Sequence, residues 1–370
     1  MRPSPDEGLL RLARRDLVEM PAYEPVEPLD VLARRLGIPE DRIAKLDGNE
    51  NPYGPSPKVR EALARFPHYH IYPDPEQRRV REAIAEYVGA TPEQIVVGNG
   101  SDELLDLTGR LFLSPGDKAV NAPPTFGIYE FVIRTYGAEV VEAPRREDFA
   151  LDVDAAERSL AAGAKLMFLA SPNNPTGNAA SAEELERLLA HGAAVVVDEA
   201  YAEFAGDSFV PLAAERDNLI VMRTFSKWAG LAGLRAGYGV FPPAVAETIR
   251  KIKMPYNMNV AVQAAVLASL DDRAALSENV GVIVGERERM AKALAAFPWL
   301  RLYPSRANFL LCQVQGRPAT ELQADLRERG VLVRHFDSPG VRACLRISVG
   351  RPEDTSRLVE ALSEIGGAVA

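Results

Sequence analysis

The chain has 370 residues, of which 47% are hydrophobic and 26% charged, and this composition excludes the disordered, collagen-like and coiled-coil classes. Its 43 lysines and arginines are outnumbered by 52 aspartates and glutamates, and the net charge of −9 disfavours nucleic acid as the main partner. The N-terminus is charged throughout and lacks the apolar stretch of a signal peptide. No apolar run approaches the ~18 residues that a membrane span needs. We therefore expect a cytoplasmic protein without membrane contact.

Cysteine and histidine are both scarce. Cys312 and Cys344 each lie within an apolar run, which predicts buried thiols rather than a disulfide framework. None of the four histidines has metal-ligand spacing with another ligand type, so we predict no metal site; they are His68, His70, His191 and His335. With only eight lysines, the chain offers few candidates for any mechanism that needs an amine.

The first 57 residues contain nine of the 28 prolines, a density that predicts an extended arm rather than packed helices. From about residue 76, hydrophobic periodicity predicts a helix over 76–88, a strand over 94–97 and a helix over 103–112. Further apolar runs between helical stretches lie at 164–170, 193–197, 219–222 and 236–240. Strands that alternate with helices are typical of parallel βαβ units in an α/β domain.

The C-terminal third has a different pattern. A long helical stretch over 260–297, with interruptions, precedes predicted strands and helices in turn; the strands are 309–314, 331–333 and 344–349, and the helices 320–329 and 355–365. We therefore predict a large α/β domain over 46–260 and a small α+β domain over 261–370, joined by an N-terminal arm over 1–45.

A glycine cluster follows the predicted strand 94–97, at Gly98 to Glu103 (GNGSDE). Glutamate stands where a dinucleotide fingerprint has its third glycine, and the chain has no Gly-Lys pair, so neither that fingerprint nor a Walker-type loop is present. Because the cluster opens a helix, its backbone N–H groups could hold a phosphate. Ser101 and Asp102 would equally suit a helix cap, and the sequence leaves both interpretations open.

Polar residues follow three successive strands. They are Asn174 within SPNNPTG, Asp198 at the start of DEAY, and Lys227 at the end of TFSK. Because the carboxyl ends of parallel strands share one edge of a sheet, we expect the three side chains to converge there. Each alone could be a cap or turn residue, but a carboxylate that ends a Val-Val-Val strand is costly unless it is paired.

One cofactor needs a buried acid, a lysine, an arginine such as Arg235 and a phosphate-binding helix start. With pyridoxal phosphate, the lysine amine binds the cofactor aldehyde, while the acid keeps the pyridine nitrogen protonated. The arginine and the helix N-terminus hold the phosphate.

The sequence resembles the fold type I pyridoxal-phosphate aminotransferases, and among them most closely the histidinol-phosphate aminotransferases. The resemblance runs from Leu46 to Gly350, and its most specific motifs are SPNNPTG, DEAY and TFSKWAGLAGLRAG. It implies a mostly parallel sheet in a large domain beside a smaller α+β domain. It also implies transamination of L-histidinol phosphate with 2-oxoglutarate, which gives imidazole acetol phosphate and glutamate.

The resemblance assigns the cofactor residues one by one. Lys227 corresponds to the Schiff-base lysine, Asp198 to the partner of the pyridine nitrogen, and Asn174 and Tyr201 to the partners of the phenolic oxygen. The phosphate cradle corresponds to Ser101, Asp102, Thr224, Ser226 and Arg235. Phe126 corresponds to the aromatic residue that stacks on the cofactor. Tyr72 matches a tyrosine that relatives extend to the cofactor phosphate of the neighbouring subunit, which implies a homodimer.

Fewer residues support the assignment of the substrate-binding site. Arg346 matches the arginine that binds a substrate carboxylate, and Arg334 a second anion-binding arginine. Tyr23, Asn49 and Asn257 fall in segments that line the pocket in relatives, although asparagine and tyrosine are also common in turns without function. Two alternative activities share the same cofactor residues and stay open here: aromatic amino-acid transamination and decarboxylation of a phosphorylated threonine.

Overall fold

Two β-sheets organise the chain in the computed structural model, which describes residues 8–22 and 27–367. The strands are β1 (Ala44–Leu46), β2 (Ile95–Asn99), β3 (Lys118–Asn121), β4 (Glu139–Glu142), β5 (Leu166–Ala170), β6 (Ala194–Asp198), β7 (Leu219–Thr224), β8 (Ala236–Val240), β9 (Leu300–Tyr303), β10 (Phe309–Val314), β11 (Val331–His335) and β12 (Cys344–Ser348). A seven-stranded sheet has the order β2-β8-β7-β6-β5-β3-β4, and a five-stranded sheet the order β1-β11-β12-β10-β9.

Helices cover both sheets. In chain order they are α1 (Arg15–Val18), α2 (Leu29–Leu36), α3 (Pro57–Arg65), α4 (Arg78–Val88), α5 (Ser101–Phe112), α6 (Ile128–Thr135), α7 (Val153–Ala161), α8 (Ala182–Leu189), α9 (Ala202–Ala205), α10 (Val210–Ala213), α11 (Pro243–Ile252), α12 (Val260–Asp271), α13 (Arg273–Leu294), α14 (Ala319–Glu328) and α15 (Pro352–Gly367). Short 3-10 helices span Gly8–Leu12, Glu40–Arg42, Pro92–Gln94 and Ala232–Leu234. Within residues 8–22 and 27–367, none of these helices combines the length and apolar character needed to cross a membrane.

The direction of the strands decides which strand ends meet. Strands β3 to β7 pair in parallel, whereas β8 runs antiparallel between β7 and β2. Six of the seven strands therefore point the same way, and β2, β5, β6 and β7 end at one edge. This confirms the predicted mostly parallel sheet of an α/β fold.

Both faces of the seven-stranded sheet are covered, which explains why its central strands are apolar runs. In β6, Val195 and Val197 pack into one apolar core and Val196 into the other, because successive side chains of a strand point to opposite faces. The polar residue of that strand is Asp198, at its end.

Most predicted strands are confirmed to within about two residues. Strands β1, β3, β4 and β9 were missed, because each has only three or four residues and most carry charged or polar residues at their ends. The prediction of an extended arm over the first 57 residues was wrong for α2, which is a helix. That helix starts directly after Pro28, a position where proline does no harm, and buries Leu32 and Ala33 against Ile43 and Leu332.

Strand β1 ties the N-terminal part of the chain to its C-terminal part. Its residues 44–46 pair in parallel with 331–333 of β11, so the five-stranded sheet contains segments almost 300 residues apart. The proposed division into 46–260, 261–370 and an arm over 1–45 stays a prediction.

Candidate active site

Asn174, Asp198 and Lys227 follow three neighbouring parallel strands. Asp198 is the last residue of β6, Lys227 follows the end of β7, and Asn174 follows the end of β5. The three residues therefore lie along one edge of the seven-stranded sheet, which is the position that the sequence pattern predicted.

Asp198 is a carboxylate held in a dry environment, 6% exposed. Its Oδ2 accepts a hydrogen bond from Tyr129 Oη at 2.8 Å, and its Oδ1 accepts one from the Ala200 backbone N–H at 3.0 Å. Burial, together with the negative charges of Asp102 and Glu199, raises the pKa of Asp198 to about 6 against these two hydrogen bonds. A cation placed next to this carboxylate would relieve that penalty.

Lys227 reaches the same region from β7. Its Nζ donates to the Gly48 carbonyl oxygen at 3.3 Å. Burial, followed by the positive charge of Arg346, lowers the pKa of Lys227 to about 8. A lysine with such a pKa is partly neutral near pH 7, which is the form that acts as a nucleophile or base.

A second cluster surrounds the start of α5. Arg235, in the left-handed region at φ 57°, donates from Nη2 to Asp102 Oδ2 at 2.7 Å. A Cβ on Gly100 would lie 2.5 Å from Arg235 Nη2, and a Cβ on Gly237 would lie 2.3 Å from the Ser101 backbone nitrogen. Glycine at both positions lets the guanidinium and β8 approach the helix N-terminus closely. Backbone N–H groups, a helix dipole and a guanidinium together suit an anion.

Hydroxyl groups and an aromatic ring complete this part of the site. Thr224 and Ser226 are both buried, and their hydroxyl oxygens lie 2.9 Å apart at the end of β7. Phe126 packs edge-to-face on Tyr129, with ring centroids 5.7 Å apart. Since Tyr129 bonds Asp198, this contact keeps Phe126 on the side of the buried carboxylate.

The opposite wall is formed where the two sheets meet. Tyr201 follows β6 and is 5% exposed, and its ring packs edge-to-face on Phe309 at 5.2 Å. Asn49 Nδ2 donates to Tyr201 Oη at 2.9 Å, and Ser348 Oγ donates to Asn49 Oδ1 at 2.7 Å. The segment after β1 and the end of β12 are thereby joined to the end of β6.

Two arginines stand directly opposite each other in the five-stranded sheet. Arg334 of β11 pairs in register with Arg346 of β12. Two guanidinium groups at such positions lie side by side on one face of the sheet, which suits an anionic group. Arg346 is 6% exposed and donates from Nη1 to Asn174 Oδ1 at 2.7 Å and from Nη2 to the Asp47 carbonyl oxygen at 2.5 Å. It therefore belongs to the same site as Asn174.

Aromatic rings flank this arginine pair. The Arg346 guanidinium carbon lies 5.5 Å from the ring centroid of Phe309 and 5.4 Å from that of Phe336, and the Arg334 carbon lies 5.9 Å from that of Phe336. All three distances are within the range of cation–π attraction. The rings thus stabilise two guanidinium groups that would otherwise repel each other.

Two of the predicted site residues have their contacts away from this cluster, and a third lies outside the residues that the structure describes. Asn257 Nδ2 donates to the Val97 carbonyl oxygen at 3.1 Å and to Glu103 Oε2 at 2.8 Å, which places this amide behind the glycine cluster. Tyr72 is 78% exposed and stacks on Tyr256, with ring centroids 4.6 Å apart. Tyr23 lies outside the residues that the structure describes.

Sequence reasoning missed Tyr129, Ser348 and Phe336. Tyr129 follows Phe126 by three residues across the turn that leads into α6, where its backbone N–H donates to the Phe126 carbonyl oxygen, so the spacing was a usable signal. Ser348 and Phe336 had no such signal, because their contacts with Asn49 and Arg346 depend on the pairing of strands that are far apart in sequence.

The donor set suits one kind of ligand. A buried carboxylate, a lysine of lowered pKa and an anion cradle lie on one side, and a pair of arginines lies on the other. Such a set could hold a ring with a protonated nitrogen, a carbonyl group for the lysine and an anionic tail, and the arginines could bind a second anionic group.

Comparisons with known proteins agree with this chemistry. The family model described as aminotransferase class I and II matches residues 41–362. A histidinol-phosphate aminotransferase from Roseiflexus castenholzii is 51% identical over 96% of this chain and 98% of its own length, and one from Dehalococcoides mccartyi is 46% identical over 97% and 99%.

A solved structure extends the comparison to three dimensions. The histidinol-phosphate aminotransferase from Sinorhizobium meliloti, in complex with pyridoxal-5'-phosphate, is 28% identical and superposes with a TM-score of 0.87. The match covers 96% of this chain and 98% of that protein. The chain therefore belongs to the aminotransferase class I and II family.

Proposed function

We propose that this chain transfers the amino group of L-histidinol phosphate to 2-oxoglutarate, with pyridoxal phosphate as its cofactor, and so serves histidine biosynthesis. The observation that carries the proposal is the alignment of Asp198 and Lys227 at the ends of two neighbouring parallel strands. Relatives that are 45–51% identical over most of the chain are named histidinol-phosphate aminotransferases, which supports this amino donor.

The residues fit the cofactor in three respects. Asp198 would face the protonated pyridine nitrogen, the cation that its buried carboxylate needs. Arg235, Thr224, Ser226 and the N-terminus of α5 would hold the phosphate, with Ser101 and Asp102 contributing mainly backbone N–H groups. The remaining contacts would come from Phe126, against the ring face, and from Asn174 and Tyr201, at the phenolic oxygen. When bound, pyridoxal phosphate supplies an electron-withdrawing ring that stabilises negative charge at the substrate carbon.

Lys227 would move the proton in the central step. Lys227 would be the residue that attaches the cofactor covalently, and once released its amine would lie beside the substrate carbon. Because burial and Arg346 lower its pKa to about 8, roughly 10% of the amine is neutral at pH 7, compared with about 0.03% for an ordinary lysine. Lys227 can therefore accept the proton from the substrate carbon and return it on the cofactor side.

Arg346 and Arg334 would bind the anionic groups of the substrates. Both substrates carry anionic groups at a distance from the reacting carbon: the phosphate of histidinol phosphate and the distal carboxylate of 2-oxoglutarate. Two guanidinium groups in register suit such groups, because each offers a fork of N–H donors that matches a carboxylate or phosphate. The same pair can thus serve the donor and the acceptor in turn.

A second copy of the chain would complete each site. Tyr72 lies in an exposed apolar patch with Ile71, Met254 and Tyr256, which are 52%, 69% and 45% exposed. Apolar surface of this kind is typical of a protein–protein interface. We propose a homodimer in which Tyr72 hydrogen-bonds the cofactor phosphate of the partner subunit.

The cysteines favour a reducing compartment. Cys312 and Cys344 are both free and buried, and free thiols persist in the cytoplasm, where we propose that the protein works.

The substrate proposal is tested with a panel of amino donors and 2-oxoglutarate, with glutamate and CO₂ measured in parallel. Histidinol phosphate should give the highest kcat/KM, and CO₂ release should stay at background. Equal kcat/KM for phenylalanine would contradict the proposed donor, and CO₂ in proportion to turnover would contradict transamination.

The role of Lys227 predicts a pH dependence of cofactor capture. In protein stripped of cofactor, capture requires the neutral amine, so its rate should rise with pH and level off above about pH 8. Borohydride reduction followed by peptide mapping should find the cofactor on Lys227. Lys227→Ala should still bind cofactor reversibly but retain no reducible attachment, and a label on any other lysine would refute the assignment.

The role of Asp198 predicts a slow proton transfer when its charge is removed. Asp198→Asn keeps the size of the side chain and should lower kcat by at least ~10²-fold, with a much smaller loss of bound cofactor. Asp207→Asn is the control, because that carboxylate pairs with Arg306 on the surface. A normal kcat for Asp198→Asn would mean that the carboxylate only caps its strand.

The proposed shared site predicts the behaviour of a mixed dimer. Tyr72→Phe should remove one hydrogen bond to a charged group, about 1.5–3 kcal/mol, and weaken cofactor binding about tenfold or more. In a dimer of one Tyr72→Phe subunit and one Lys227→Ala subunit, one site would combine an intact lysine with an intact tyrosine. That site should titrate with wild-type affinity, at half the wild-type number of active sites. Weak affinity at every active site would show that Tyr72 acts within its own subunit.

A further inference from the structure

Asn49 has an unusual backbone for a residue buried between two sheets. It is 1% exposed, and its φ of 52° lies in the left-handed region, which glycine adopts easily and other residues rarely. Such conformations persist when surrounding contacts hold them, and they cluster at functional sites. The contacts of Asn49 therefore indicate which function requires this backbone conformation.

Three hydrogen bonds anchor Asn49 to the five-stranded sheet side. Its backbone N–H donates to Ser348 Oγ at 2.8 Å, and the Ser348 hydroxyl donates to Asn49 Oδ1 at 2.7 Å. Asn308 Nδ2 donates to the Asn49 carbonyl oxygen at 3.1 Å. In this arrangement Oδ1 accepts the serine proton and Nδ2 is turned away from Ser348.

The amide nitrogen so oriented faces Tyr201. Asn49 Nδ2 donates to Tyr201 Oη at 2.9 Å, so the phenolic oxygen accepts this bond and its own proton is not shared with Asn49. An accepted hydrogen bond also polarises the hydroxyl and makes it a stronger donor. The Tyr201 ring, packed edge-to-face on Phe309, has little freedom to turn away.

We propose that Ser348 and Asn49 are positioning residues that hold Tyr201 Oη as a hydrogen-bond acceptor, so that its proton is directed to the phenolic oxygen of the cofactor. Asn49 then acts through Tyr201. This role replaces the substrate contact that the sequence analysis assigned to Asn49. The inference rests on the proposed function, because it requires pyridoxal phosphate beside Tyr201. It also couples the five-stranded sheet, through Ser348, to the electronic state of the cofactor.

The test is a pH titration of the visible absorbance of the cofactor-loaded protein, with kcat and KM as secondary readouts. A hydrogen bond to the phenolic oxygen favours its deprotonated form, so loss of that bond raises the pH midpoint of the absorbance change. Asn49→Gly tolerates the left-handed backbone and removes the amide, and it should raise the midpoint by about 0.5 unit or more. Ser348→Ala should shift the midpoint in the same direction by less.

Asn49→Asp tests the direction of the hydrogen bond. The carboxylate can still accept from Ser348 but cannot donate to Tyr201, so the tyrosine proton should turn towards it and the midpoint should rise at least as far as in Asn49→Gly. If Tyr201 instead donates to Asn49 in the native protein, the aspartate preserves that bond. An unchanged midpoint in Asn49→Asp would therefore overturn the proposal.

Two further variants separate positioning from a general loss of stability. Asn218→Ala removes an asparagine amide that bonds the Leu189 and Ala193 carbonyl oxygens at the opposite end of β6 and β7, and it should leave the midpoint unchanged. In a Tyr201→Phe background, Asn49→Gly should give no additional shift, because its effect passes through the phenol. An equal shift in both backgrounds would contradict the inference.

The same variants distinguish this inference from the proposed function. If Tyr201→Phe itself leaves the midpoint unchanged, then Tyr201 does not contact the cofactor and the proposed site is at fault. If Tyr201→Phe shifts the midpoint and neither Asn49→Gly nor Ser348→Ala does, the site stands and the positioning role fails.

Discussion

The desolvation of two ionisable groups at one edge of a sheet is the constraint on which the rest of the structure depends. Asp198 and Lys227 both lie where burial opposes their charge, and their pKa values move to about 6 and about 8 as a result. A carboxylate and an amine in that state are expensive to keep unless a ligand uses them. The surrounding elements supply the covering apolar cores, the donors to the carboxylate and the neighbouring cations.

Close backbone approach makes the anion cradle possible. Strand β8 is the one antiparallel strand of the seven-stranded sheet, and it pairs with β2 and β7. Arg235 directly precedes β8 and therefore lies close to the start of α5, which follows β2. Gly100 and Gly237 leave no Cβ between these groups. A side chain at either position would push the guanidinium or the helix N-terminus away from the ligand, so the two glycines are part of the site although they carry no functional group.

The meeting of the two sheets brings the two groups of site residues of this chain together. Arg346 extends from the five-stranded sheet to Asn174, and Asn49 and Ser348 extend from the same side to Tyr201. The groups that would bind substrate anions and the groups that would bind the cofactor are therefore connected by short side-chain hydrogen bonds. A change in the position of one sheet relative to the other would alter both sets at once.

The sequence by itself determined the α/β pattern, the order of the main strands and the three polar strand ends at Asn174, Asp198 and Lys227, because these features depend on local periodicity and on the shared direction of parallel strands. The residue types at these strand ends also indicated the cofactor, and motif resemblance added its individual contacts and the substrate arginines. Only the tertiary structure decided that Tyr129 bonds Asp198, that Arg334 stands opposite Arg346, and that Asn49 contacts Tyr201 rather than only lining a turn. It also turned part of the proline-rich arm into α2, since the burial of Leu32 and Ala33 outweighed the local preference. Contacts between residues 299 positions apart, such as Asn49 with Ser348, follow from strand register and sheet packing, and no local pattern in a single sequence encodes them.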